Sequence, residues 1–172
     1  WTGDPDMGFG AKQPGGWAYS LLPFIEQQQL HEIGAGLKGV EKKQALMQQK
    51  TTPVAVFYCP TRGSAGLRYA PEHSINAEQP SDNLVAKTDY AANGGCGIPS
   101  LTTKDQQGRP AGPGIHCLKH YPHPAVCRGL YSRNKADKFD GVVIPRFGVT
   151  LQEITDGARH TLLISERFLH VD

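Results

Sequence analysis

No apolar run in this chain approaches the ~18 residues that a helix needs to cross a bilayer, and aromatic residues make up only 8% of it. An excess of one charge is lacking too: the net charge is +2 and the basic residues are scattered. That balance removes any electrostatic case for nucleic acid or an anionic membrane as partner. There is no glycine-rich loop with nucleotide-binding spacing, no Gly-x-Ser-x-Gly elbow, no Cys-x-x-Cys-His haem attachment and no EF-hand acidic loop. A signal peptide and an initiator Met are absent as well, since the chain opens at Trp1. We therefore expect a processed or trimmed product whose targeting segment has been removed.

What is present is turn-forming residue: 20 Gly and 13 Pro among 172 residues, with a hydrophobic fraction of 38%. Such a composition predicts long loops around a modest core, in one domain spanning residues 1–172. Four cysteines, Cys59, Cys96, Cys117 and Cys127, suit two disulfides in an oxidising compartment, with three connectivities open. The alternative is four free thiols in a cytosolic protein. Cys117–Cys127 is the favoured pair, because it closes a short Pro/His-rich loop, and it leaves Cys59 with Cys96.

Along the chain, residues 1–16 form a Gly/Pro-rich lead-in. Trp17, Leu21, Phe24, Ile25 and Gln28 then fall on one face at helical spacing, which predicts a helix over residues 17–31, kinked or restarted at Pro23. A polar surface helix is expected over residues 40–50, with Val40, Leu46 and Met47 inward. The β-branched run 54–58 between Pro53 and Pro60 reads as a buried strand. Residues 61–83 read as loop, 84–90 as a strand, 141–144 as a third and 161–165 as the last. Thr150 and Glu153 have capping-box spacing for a short helix ending at Asp156-Gly157. There Asp156 is expected to accept backbone N–H groups and Gly157 to adopt positive φ, with Leu151 and Ile154 on the core.

Several residue sets could carry chemistry. His116, Cys117, His120, His123 and Cys127 offer nitrogen and sulfur ligands that zinc favours, but their spacing matches no finger pattern. A disulfide loop with surface histidines is the simpler reading. Asp4, Asp6, Asp89 and Asp156 could give oxygens to calcium, although such residues more often cap turns. Ser165 and Glu166, with His160 or His170, could form a hydrolytic set, and Trp1, Phe9, Trp17 and Tyr19 an aromatic sugar platform. No cofactor is expected; zinc and calcium are the alternatives.

Taken in order, Gly-Asp-Pro-Asp (3–6), Gln-Pro-Gly-Gly-Trp (13–17), Leu-Leu-Pro-Phe-Ile-Glu-Gln-Gln (21–28), Phe-Tyr-Cys-Pro-Thr-Arg (57–62), Thr-Asp-Tyr-Ala-Ala-Asn-Gly-Gly (88–95) and residues 154–166 are the most distinctive segments. They resemble a large planctomycete family of secreted, prepilin-like proteins of unknown function. That resemblance implies a type IV prepilin leader with a long apolar helix, and a C-terminal His-x9-Asp-Gly signature, both lying outside this chain. It implies an α+β, pilin-like head, with an antiparallel sheet packed on an N-terminal apolar helix and long disulfide-stapled loops. The expected role is non-enzymatic: a structural or surface-assembly protein, extracellular, on the cell surface or periplasmic. Its partners would be copies of itself or envelope and secretion-system proteins, with membrane contact only through the absent helix. A secreted carbohydrate- or metal-binding module is the alternative, and a hydrolase a weaker one.

Overall fold

The computed structural model describes residues 2–71, 74–94, 103–104, 110–111, 141–143 and 148–167. They form an α+β fold with short helices and small antiparallel sheets, grouped in two compact units. The first comprises Trp1–Phe9, Gln13–Ala92 and Ile164–Asp172; the second comprises Gly10–Lys12 and Asn93–Leu163.

In the first unit the expected long helix is broken into pieces. Helix α1 spans Trp17–Leu21, a 3-10 turn covers Leu22–Ile25, and α2 spans Gln28–Glu32. Pro23 has no N–H to continue the α ladder, so the chain tightens there. Glu26 then takes a left-handed conformation, φ 62°, and Gln27 N–H closes onto Leu22 C=O at 2.9 Å. Folding back in this way brings Tyr19, Leu22 and Leu30 into one cluster, surrounded by Ile25, Ile33, Val54 and Phe57. Burying each large side chain there contributes roughly 1.5–3 kcal/mol.

Helix α3, Gly39–Lys50, is less superficial than its polarity suggests. Lys42, Leu46 and Gln49 share its buried face at spacings of four and three, and Leu46 is fully enclosed. Val40, expected to point inward, is 63% exposed. Thr51 ends the helix, its hydroxyl donating to the carbonyls of Met47 and Gln48.

The expected strand 54–58 is instead a 3-10 turn over Ala55–Phe57. Phe57 and Tyr58 donate back three residues, each at 3.0 Å, and Val56 is 60% exposed. Flanking Pro53 and Pro60 remove the donors that a sheet ladder would require. Two further differences concern the sheets. A strand lies within the expected loop, β1 over Leu67–Tyr69, paired antiparallel with β2 over Leu84–Ala86 so that Arg68 faces Val85. The expected strand 84–90 stops at Ala86; β3, Tyr90–Ala92, belongs to another sheet.

In the second unit, β4 (Thr103–Lys104) pairs antiparallel with β5 (Pro110–Ala111). The strand expected over 141–144 is not formed at residues 141–143, although Val143 N–H reaches Asn93 C=O at 2.9 Å; Ile144 lies outside the described residues. A 3-10 turn over Leu151–Glu153 carries the expected capping box, with Thr150 N–H and hydroxyl both donating to Glu153 Oε2 at 2.9 and 3.0 Å. Leu151 does not anchor it, being 76% exposed. The last strand, β6, is Ile164–Glu166 in the first unit, starting three residues later than expected, and pairs with β3 so that Ala91 faces Ser165. Among the described residues, three two-stranded sheets stand where a single one is expected.

Candidate functional site

The polar residues of the distinctive segments gather at two places in the first unit. At the first, the Gly/Pro-rich lead-in is held by side chains rather than by repeating structure. The buried Gln13 amide accepts the N–H groups of Asp4 (2.9 Å) and Gly15 (3.0 Å), and donates to the carbonyls of Asp4 (3.0 Å) and Gly8 (2.6 Å). Thr2 and Asn76 exchange two further bonds, at 2.9 and 2.7 Å. Gly3 lies flat against the Tyr19 ring; a Cβ there would stand 2.2 Å from it. Lys42 rises from the buried face of α3 to meet Asp4 and Asp6, both at 2.7 Å, and the Gly34 carbonyl at 2.8 Å.

Charge pairing here is complemented by backbone. The Lys42 ammonium, together with the Gly36 N–H, holds the Asp6 carboxyl below its usual range despite a slight upward push from burial. Burial pulls Lys42 down, but its bonds to Asp4 and Asp6 outweigh that and raise it. Next to this cluster, the His31 imidazole is sandwiched between Tyr19, 4.5 Å away, and Phe9, 5.5 Å away. Among the described residues neither of its ring nitrogens has a hydrogen-bond partner, and burial holds its pKa below the ordinary value. Burial also pushes the Tyr19 phenol up; its hydroxyl donates to the His31 carbonyl at 2.8 Å.

At the second place three distant segments are knotted. Asp89, 2% exposed, accepts the Cys59 N–H at 3.0 Å, with the Arg68 guanidinium 3.9 Å away. Its own N–H donates to Phe57 and its carbonyl accepts from Arg167. Glu166 accepts the Cys59 thiol at 3.3 Å and pairs with Arg62 at 3.2 Å, while Arg62 also donates to the Arg167 carbonyl.

The structure places the expected site residues as follows. Cys59 is a buried free thiol, its sulfur held between Thr61 (3.1 Å) and Glu166. Cys96, Cys117, Cys127, His116, His120 and His123 lie outside the described residues, as do Trp1 and His170. Thr150 and Glu153 cap as expected, and Gly157 has φ +84°. Asp156 differs: it is exposed and, among the described residues, its carboxylate accepts no hydrogen bond, so the turn relies on Gly157 and on Gly157 N–H to Ile154 C=O. Of the carboxylates considered for calcium, Asp4 and Asp6 are taken by Lys42, and Asp89 by Cys59 and Arg68. No group of three or more metal-ligating side chains occurs among the described residues. The aromatic residues pack inward in part: Trp17 meets Phe57 edge-on at 5.9 Å, and Tyr19 is buried. Ser165 and His160 are exposed, and Glu166 is engaged by Arg62 and Cys59.

Lys42, Gln13 and His31 are missed by residue-type reasoning because polar residues are read as surface. Lys42 had one signal, its position four residues before Leu46 on the same helical face.

The sequence matches, over residues 1–172, the family described as "Protein of unknown function (DUF1559)". The chain belongs to that family. No curated protein and no solved structure matches it. In this DUF1559 chain, then, Asp4 and Gln13 close the lead-in, and Asp89, Arg62 and Glu166 tie the three distant segments together.

Proposed function

We propose that this chain is the pilin-like head of a secreted structural protein that assembles at the cell surface or in the envelope, and that it performs no catalysis. The observation that carries this reading is the use made of the motif side chains. Asp4, Asp6, Gln13, Asp89, Arg62 and Glu166 hold backbone or one another, and groups so occupied are not free to act on a substrate. A scaffold whose motifs maintain shape suits a protein used for its surface. The ordered motifs, resembling the prepilin-like family, support export by a pilin-type route and partners among like subunits or secretion-system proteins.

The test is to shear native cells that express the protein and to follow the chain by antibody in the sheared and cell-bound fractions, with and without chemical cross-linking. Cross-linked multimers in the sheared or envelope fraction are expected. A chain found as a monomer in the cytosol would overturn the reading.

A further inference from the structure

The first unit contains a hollow of about 620 Å³ that opens onto the main hydrophobic cluster, within the ~300–1,000 Å³ range typical of small-molecule sites. Its wall includes Leu22, Leu30 and Phe57, and three cations, Lys50, Lys87 and Arg167, contribute to its lining, which among the described residues holds no Asp or Glu. Of these, Lys50 is the half-buried one. Among the described residues its ammonium has a single polar partner, the neutral Gln79 Oε1 at 2.7 Å. Gln79 is itself fixed, its NH₂ donating to the Ala70 carbonyl at 2.9 Å and to Asn83 Oδ1 at 3.2 Å, so its oxygen is held toward Lys50. Lys42 shows what this chain does elsewhere with a lysine withdrawn from water: it supplies two carboxylates. For Lys50 it supplies none, and burial lowers that ammonium's pKa.

We propose that this hollow binds a small organic monocarboxylate with an apolar body, the carboxylate meeting Lys50 and the chain lying along Leu22, Leu30 and Phe57. A charge-assisted hydrogen bond in a partly desolvated site is the strong kind, so the anion contributes affinity beyond apolar burial. Lys87 and Arg167 add favourable potential without a competing acid.

Decanoate below its micellar concentration is the probe, titrated calorimetrically into the 172-residue chain, with decanol as the neutral comparison and Lys43→Gln as an exposed-lysine control. Saturable binding of decanoate is expected, with decanol and the Lys50→Gln variant each weaker by about tenfold or more, the scale of one such bond, and Lys43→Gln unchanged. The melting temperature of the unaltered chain should rise with decanoate more than with decanol, a readout that needs no variant. No binding of decanoate, equal binding of decanol, or unchanged affinity in a folded Lys50→Gln variant would each overturn the proposal. Because binding is read on the isolated chain, its failure would leave the surface-assembly reading untouched.

Discussion

The Asp89 carboxylate accepts the backbone N–H of Cys59, 30 residues away, at 3.0 Å in a position 2% exposed to solvent. Through Asp89 and Glu166, the segments around residues 57–62, 88–92 and 164–167 become one joint. Removing the carboxylate leaves a buried N–H unpaired and Arg68 without its neighbour. Asp89→Ala should therefore cost about 2–3 kcal/mol, as lost hydrogen bonds to charged groups do. Asp156→Ala removes a solvated carboxylate and should stay within about 0.5 kcal/mol of the parent. Urea denaturation of the two variants in parallel gives the comparison, and equal losses would contradict it.

Lys42 governs the behaviour of the lead-in with pH. The Asp6 carboxyl is held down in the folded state, so its contribution is present above 3.8, the ordinary value, and is lost as pH falls through the lower folded value. The raised Lys42 ammonium works in the other direction, contributing fully below 10.5 and losing that contribution as pH rises through the folded value. Lys42→Met should thus destabilise by about 2 kcal/mol at neutral pH. The gap from the parent should narrow below 3.8 and above 10.5. Denaturant midpoints across pH measure this; a gap independent of pH would show that packing, not charge, is what Lys42 supplies.

His31 gives an acid sensitivity of a different origin. With its folded pKa depressed by burial, the unfolded chain takes up the proton first as pH falls below 6.5, and stability drops from there down to the folded value. His31→Phe keeps the ring between Tyr19 and Phe9 and removes two unpartnered nitrogens. It should be neutral to stabilising at pH 8, by up to about 1 kcal/mol, and more stabilising at pH 5. Thermal melts at both pH values decide it, and a larger benefit at the higher pH would refute the assignment.

Gly3 tests the close approach in the lead-in. A methyl group at that position meets the Tyr19 ring at 2.2 Å, and Tyr19 is pinned by His31 on one side and by its own hydroxyl bond. Gly3→Ala should cost about 1–3 kcal/mol, the usual range for overpacking. Gly16→Ala, which meets nothing within 4 Å, should be tolerated. Similar melting of the two would mean that the ring moves aside freely.

Local rules were legible where a local cause decides the outcome. The breaking effect of Pro23, the Thr150–Glu153 cap and the positive φ of Gly157 all follow from residues within a turn of one another. The face expected from the spacing of Trp17, Leu21, Phe24, Ile25 and Gln28, by contrast, is not the buried one: Phe24 is 77% exposed, and Tyr19 and Leu22 are buried instead, because the helix breaks at Pro23. Non-local causes were not legible. The run 54–58 has strand-forming composition, yet Phe57 C=O is taken by Asp89 N–H and Thr88 hydroxyl, and no strand pairs alongside. β1 was invisible because Leu67, Arg68 and Tyr69 are all exposed and leave no alternation of burial to read. At the site, Asp89 looked like one turn residue among several, since its partner Cys59 is recognisable only once the chain has folded. Cys59 looked like half of a disulfide, whereas its sulfur is held by a hydroxyl and a carboxylate.

The proposal that this DUF1559 chain serves as an exported structural head turns on where the chain resides. Treating intact native cells with an impermeant protease, then probing for the chain beside a cytosolic marker, tests it most directly. An exported head is cleaved in intact cells, or in cells whose outer layer alone is opened, while the marker survives. Protection of the chain until the cytosol is released, in step with the marker, would contradict it.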